Sequence, residues 1–405
     1  MNEYDVVVVG GRVAGAATAM LLSRAGLRVA LFERSRSGSD TLSTHALMRG
    51  GVLQLSRWGL LSPLLRAGTP AIHSTTFHYG DDRTTRVSIR PSRGVDALYA
   101  PRRHLLDRVL VEAAAASGAD VHHATPVLGL LRAEDGRVHG VRVSGRDARE
   151  VPVRAALTVG ADGIGSLVAR EVGAPVVLQG RAASALLYRY VADLAADGYS
   201  WGYGDAVGAG LIPTNDAETC VFVSTTPSRM KQLRRAGVES AFDSLLAATP
   251  PAIRDAVRAG GTHGELHGWR GVPGFVRRPF GPGWALVGDA GYFKDPITTH
   301  GLTDALRDAE LLADAVTRTS AGTPASVAFA EYENTRDRLS GALAEVTEAV
   351  CRYDWSEDEI QALLRRVSSA MSDEVDHLTA RLQRRLDPQR PRISAAPPGA
   401  RAGVS

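Results

Sequence analysis

The chain has 405 residues with 47 basic and 44 acidic side chains, and a net charge of +3 over that length makes nucleic acid an improbable main partner. A hydrophobic share of 44% and a charged share of 22% describe a globular protein with a sizeable core, in two domains or one elaborated domain. No apolar stretch reaches the roughly 18 residues of a membrane span, and Cys220 and Cys351 stand in no metal-ligand spacing, so a soluble cytoplasmic protein with no membrane, metal or leader is expected.

Tyr4–Val9 is predicted as a fully apolar strand. Val13–Arg24 follows with helical spacing of Ala14, Ala17, Met20 and Leu21, and Gly26 ends it. Residues 28–32 alternate into a second strand closed by Glu33, which completes a βαβ start. A helix is expected over 105–117, short strands around the turn EDGR over 121–143, and a buried strand over 156–159. Beyond about residue 171 the texture becomes antiparallel, in SALLYRYVADL, GAGLIPT and ETCVFVSTTP, with helices over 237–248 and 251–259. A strand over 284–287 and a helix over 301–318 then bring the first texture back. The expected fold is α/β: a discontinuous Rossmann-like nucleotide domain (1–170 and 281–326), an inserted antiparallel-sheet substrate domain (171–280) and C-terminal helices (327–386). The tail 387–405, rich in Pro, Gly and Arg, is expected to be disordered.

Residues 6–20 read VVVVGGRVAGAATAM. In a dinucleotide loop the first glycine makes the tight turn, the second admits the pyrophosphate and the third lets helix pack on strand. Gly10 and Gly15 hold the first and last places, while Arg12 stands in the second with Gly11 beside it. The long Arg12 stem is expected to carry its guanidinium toward phosphate or out to water. Val13 and Ala14 open a helix whose amides face the anion, and Glu33 is placed for ribose hydroxyls. Taken alone, the loop also reads as a tight turn that binds nothing.

Three later segments decide between these readings. GADGIGSLVAR (160–170) ends a strand in a turn carrying Asp162, with Ser166 and Arg170 within reach of phosphate. The segment 284–313 delivers Gly288 and Asp289 at a strand end, then Pro296 and Gly301, where backbone approaches a planar ring and a helix aims its positive end at it. RRHLLD (102–107) opens a helix with arginines near the first loop.

Together these resemble the class A FAD-dependent monooxygenases, in the superfamily of para-hydroxybenzoate hydroxylase, geranylgeranyl reductase and the flavin-dependent halogenases, over roughly residues 4–320. The resemblance implies FAD, bound at Gly10, Arg12, Val13, Ala14, Gly15, Glu33, Arg34, Val127 and Asp162, with Gly288 and Asp289 on the ribityl chain. It places Arg49 of MRGGVLQL on the flavin, matches Arg103 to an R-x-x-L-D arginine, and sets Pro296, His300, Gly301 and Leu302 at the ring. NAD(P)H is the implied reductant, used directly or through a separate flavin reductase. No second G-x-G-x-x-G follows a strand.

A reduced flavin passes hydride to an alkene, or adds O2 to give a C4a-hydroperoxide that hydroxylates or epoxidises. Counting back from Pro213, Ile212, Gly210 and Gly208 stand where halogenases and geranylgeranyl reductases place a W-x-W-x-I-P or Y-x-W-x-F-P pattern. The two glycines are expected to remove a wall and open a pocket, and Tyr199, Trp201 and Tyr203 of YSWGY read equally as aromatic surface for it or as ordinary strand packing. The reading is an FAD-dependent, NAD(P)H-consuming monooxygenase of a mid-sized organic substrate of natural-product type, using O2. The alternatives are a reductase saturating a C=C bond and a non-catalytic flavin-binding module. Lys294 and Asp295 are read as an exposed pair, His45 as a buried, satisfied histidine, and the arginines of the last helices as a solvated face.

Overall fold

The computed structural model describes residues 3–92, 94–145 and 149–386; the expected disordered tail lies outside the described residues. Tyr4–Val9 is a strand because its apolar run is buried on both faces, the pattern of an inner parallel strand. It pairs in parallel with Val29–Phe32 on one side and Glu150–Gly160 on the other, and Trp284–Leu286 continues the sheet in parallel beyond Glu150–Gly160. The registers align Val9 with Phe32 and Gly160, and Gly160 with Leu286. Gly10, Ala161 and Val287 therefore leave the sheet at one carboxyl edge, where doubly wound folds bind ligands. The helix Val13–Arg24, rich in alanine, lies against this sheet and against Gly301–Ser320 in a shared core.

A second sheet runs, in spatial order, through His267–Trp269, Ala185–Ala192, Glu218–Thr225, Val207–Pro213, Tyr199–Gly204, Ser74–Tyr79 and Arg83–Ser88. Its central strands are the antiparallel ones expected. The domain division at residue 170 needs correction, because Ser74–Tyr79 and Arg83–Ser88 also belong here, and the first of them pairs in parallel with Tyr199–Gly204. Strands with as many polar residues as STTFHY and RTTRVS do not declare which sheet they join; that choice is made by partners more than a hundred residues away. Val176–Gln179, Phe275–Arg277 and Tyr292–Phe293 make a separate three-stranded sheet. The C-terminal region forms two long helices, Ala325–Val350 and Glu357–Leu386. The first packs on Gly301–Ser320, and the second packs on both the first and Arg49–Arg57. Their arginines do not all face solvent: Arg336 is fully buried and donates to the Arg277 carbonyl at 2.9 Å.

Candidate active site

The glycine loop has the backbone its role requires. Gly10 adopts φ +101°, and a Cβ there would stand 2.5 Å from the Ala161 carbonyl oxygen. A Cβ at Gly15 would overlap the Gly10 carbonyl, and one at Gly288 would stand 2.8 Å from the Ala14 Cβ. The three segments thus touch at one place, and no side chain caps the start of Val13–Arg24. Glu33 ends the second strand, buried, accepting from the Gly11 amide at 2.7 Å and the Ser35 amide at 2.8 Å. Burial works against its charge, but these amides hold its carboxyl below the usual range. Arg34 beside it is exposed, and Val127 packs against the core that contains Val9 and Phe32.

Arg12 has partners within the protein. Its guanidinium pairs with Asp107 at 2.8 Å and donates to the Ser39 carbonyl at 2.7 Å, because Asp107 is a nearly buried acid within reach. Arg103 shares Asp107 at 3.2 Å, so the unusual arginine is tied to the R-x-x-L-D helix. Asp162 turns inward to accept from Ser166 Oγ at 2.5 Å and the Leu167 amide at 2.6 Å; burial raises its pKa against those bonds. Ser166 caps that short helix, and Arg170, exposed, donates to the Gly165 carbonyl. Asp289 is half-buried, and burial lifts its pKa to about 6 against the pull of Lys294 and Arg103. Its carboxyl thus joins the strand-end motif electrostatically to Arg103.

Beyond Asp289 the chain makes a tight turn at Pro296–Thr298, passes through Thr299 in the left-handed region (φ +49°), and enters the helix Gly301–Ser320 at His300. No side chain caps this helix start either, and a Cβ on Gly301 would meet no protein atom within 4 Å. Leu302 is half-buried against the core. Lys294 and Asp295 are buried, not exposed. Asp295 accepts from the Ser184 amide at 2.6 Å and the Ile297 amide at 3.0 Å, and burial raises its pKa to about 6. Lys294 pairs with Asp304, and burial with the neighbouring Arg307 charge pulls its pKa down to about 7.

Lys294 belongs to a buried charge cluster. Arg307, fully buried, bonds Asp304 and Glu374 at 3.0 Å each, Asp308 at 2.7 Å and Ser340 at 2.9 Å. His300 Nε2 lies 3.1 Å from Glu374 Oε2, and burial lowers the His300 pKa against the Glu374 charge. Burial alone would raise Glu374, but His300 and Arg307 hold it at about 2. One ligand atom each from His300, Asp304 and Glu374 lie within 4.8 Å of one another, a spacing a metal ion would accept. The Arg307 guanidinium already bonds both carboxylates.

The 297–300 turn borders a cavity of about 1070 Å³. One wall is aromatic, from Phe77, Tyr79, Tyr199, Trp201 and Tyr203 on two paired strands; Met48, Arg49, Gly50 and the 297–300 turn also line it. Leu364, Val367, Met371 and Val375 of Glu357–Leu386 also line it. The Arg49 guanidinium donates to the carbonyls of Arg90 and Val95 at 3.0 Å. Trp201 and Tyr203 are among the lining residues, and Gly208, Gly210 and Ile212 are not. A Cβ on Gly210 would stand 2.9 Å from Phe222 Cζ and 3.0 Å from Trp201 Cε3, and one on Gly208 would stand 3.3 Å from Ile297. Phe222 and Trp201 of neighbouring strands fill the room at Gly210, Ser224 and Ile297 fill that at Gly208, and Ile212 is fully buried core.

Residues 3–347 match the family described as FAD binding domain. The chain belongs to that FAD-binding family. It is similar to the digeranylgeranylglycerophospholipid reductase of Methanothrix thermoacetophila, 27% identical over 92% of this chain and 93% of that protein. It is also similar to squalene epoxidase 3 of Arabidopsis thaliana, 26% identical over 77% of this chain and 60% of that one. Among solved structures, P. aeruginosa PqsL in complex with 2-aminobenzoylacetate superposes with a TM-score of 0.76 at 22% identity, covering 91% of this chain and 99% of that one, and shares the fold. The protein is an FAD-dependent oxidoreductase, and NAD(P)H is the reductant typical of its family. The residues present fit FAD: close glycine approaches at the sheet edge, two helix starts without side-chain caps, and open space over Gly301.

The chain pattern does not disclose the Arg307 cluster. Asp304, Arg307 and Asp308 recur at helical spacing in TDALRDAE, which reads as a solvated face, and Glu374 sits in an acidic stretch seventy residues on. His45 is buried, with its Nε2 at 2.5 Å from the Tyr190 hydroxyl. It is not fully satisfied: Nδ1 has no hydrogen-bond partner among the described residues, and φ is +65°.

Proposed function

We propose that this FAD-binding protein is a monooxygenase that inserts one oxygen atom from O2 into a mid-sized, largely apolar organic molecule, with NAD(P)H as the electron source. The observation that carries the reading is the cavity of about 1070 Å³, aromatic on one wall and lined also by the 297–300 turn and the C-terminal helix. When bound, FAD supplies the two-electron chemistry that activates O2. The residues of this chain supply the rest. The glycine edge and the start of Val13–Arg24 hold the diphosphate, with Glu33 at the ribose and Asp289 at the ribityl chain. The Gly301 helix start favours negative charge on the ring facing it. Tyr79, Tyr199, Trp201 and Tyr203 bind an apolar substrate by area and ring contact, and the helix Glu357–Leu386 excludes water from it.

Saturation of a C=C bond is the second reading, favoured by the similarity to a reductase over 92% of the chain. The two separate cleanly. FAD-loaded protein is supplied with NADPH and squalene or geranylgeraniol, under heavy-isotope dioxygen or in its absence. Product carrying one heavy oxygen supports oxygenation, and hydrogenated product formed without O2 overturns it. Electron delivery by a separate flavin reductase is supported if the FAD-loaded protein turns over only when such a reductase is added.

A further inference from the structure

The family match ends at residue 347, yet the helix Glu357–Leu386 beyond it delivers a carboxylate to a histidine of the cavity wall. Glu374 reaches that place because the helix Arg49–Arg57 offers glycines there. A Cβ on Gly50 would stand 2.9 Å from Glu374 Oε1, and one on Gly51 would stand 3.0 Å from Thr303 Oγ1. Glu374 is almost fully buried and keeps its charge beside Arg307. His300 gives Nε2 to Glu374, while its Nδ1 is buried with no hydrogen-bond partner among the described residues. A buried ring nitrogen left unbonded costs free energy unless a bound molecule completes it.

We propose that Glu374 is a positioning residue for His300: it holds the proton on Nε2 and so leaves Nδ1 as the acceptor, and proton-exchanging atom, for a molecule in the cavity. The inference rests on the reading of that cavity as the flavin and substrate site. The partner of one imidazole nitrogen sets the tautomer and so the role of the other. The charged groups facing His300 are Lys294 from the preceding turn, Asp304 and Arg307 from its own helix, and Glu374 from the C-terminal helix. Helix Arg49–Arg57 faces this junction with Gly50 and Gly51. Without the Glu374 charge the two cations have the stronger influence, and His300 binds a proton less readily.

The test is nitrogen-15 NMR of histidine-labelled, FAD-loaded protein, with the His300 signals assigned by their loss in His300→Asn. The expected wild-type result is a neutral imidazole protonated at Nε2. Glu374→Gln keeps an acceptor but not the charge, so it should retain the tautomer and lower the titration midpoint by about 1–3 units. Glu374→Leu should give a mixture of tautomers, and Glu374→Asp should restore the wild-type one in part. A wild-type ring protonated at Nδ1 overturns the proposal without any Glu374 variant having to fold. So does a Glu374→Leu ring with the wild-type tautomer and midpoint. Failure to take up FAD instead defeats the functional reading, and the His300 signals of the apoprotein still report on the pair.

Discussion

Gly15 offers the sharpest test of where the cofactor lies. In Gly15→Ala the new Cβ overlaps the Gly10 carbonyl oxygen and stands 3.0 Å from its carbon and 3.1 Å from the Ala161 Cβ. Ordinary carbon contacts need about 3.5–4.0 Å, so the helix start must retreat by on the order of 1 Å. The neighbours are mostly backbone of a buried parallel strand and cannot swing aside. The cost belongs at the upper end of the ~1–3 kcal/mol of overpacked sites, which is about 100-fold in affinity if the displacement falls on the FAD site. Gly301→Ala is the counterpart, because its Cβ meets no protein atom within 4 Å and the residue opens a helix. Its fold should be as stable as wild type, or more so by up to about 1 kcal/mol. It should still weaken FAD binding and shift the flavin absorption, because the space it enters is the ring's. Both variants are measured by FAD titration of apoprotein, followed by flavin fluorescence, and by thermal melts without cofactor. Wild-type FAD affinity in Gly15→Ala would refute the loop assignment. A Gly301→Ala protein with unchanged affinity and spectrum would remove the ring from the start of Gly301–Ser320.

Three further outcomes follow from buried groups. Gly210→Ala forces a Cβ into the Phe222 and Trp201 rings and should destabilise by about 1–3 kcal/mol in urea unfolding; a neutral result would mean that these rings yield. Arg307→Met leaves Asp304, Asp308 and Glu374 short of their shared cation and should cost about 3–5 kcal/mol; a melt within a degree of wild type would show that the cluster is not held by charge. For His45, burial and then the charges of Arg103 and Arg102 push the pKa from 6.5 down to about 3. Between those values the unfolded chain binds the proton and the native chain does not, so stability falls as pH drops below 6.5. The loss is about 2 kcal/mol by pH 5. His45→Asn, which also tolerates φ +65°, should lose less of its stability between pH 7 and pH 5; equal slopes in urea unfolding would assign the acid sensitivity elsewhere.

The nucleotide half of the protein was legible because its signals are local. Four consecutive valines, a glycine turn and an alanine-rich helix must form a strand, turn and helix whatever surrounds them, and Val13–Arg24 and Pro251–Ala259 fall where their spacing puts them. The motif glycines at 10, 15 and 288 were legible for the same reason, since each answers to a close backbone approach that a side chain would block. The partners of long side chains and of half-polar strands were not legible. Arg12 found Asp107, ninety-five residues away, and Ser74–Tyr79 joined a sheet formed mostly by later strands. Gly210 of GLIPT left room locally, and Phe222 and Trp201 from adjacent strands took it. Lys294, Asp304, Arg307 and Glu374 have the appearance of surface residues in the chain; burial together made them a neutralised cluster. Local sterics and periodicity are properties of short segments, so the sequence alone determined the elements and the glycine loop. Which charges are desolvated, and against whom, depends on how the elements pack, and only the tertiary structure decided it.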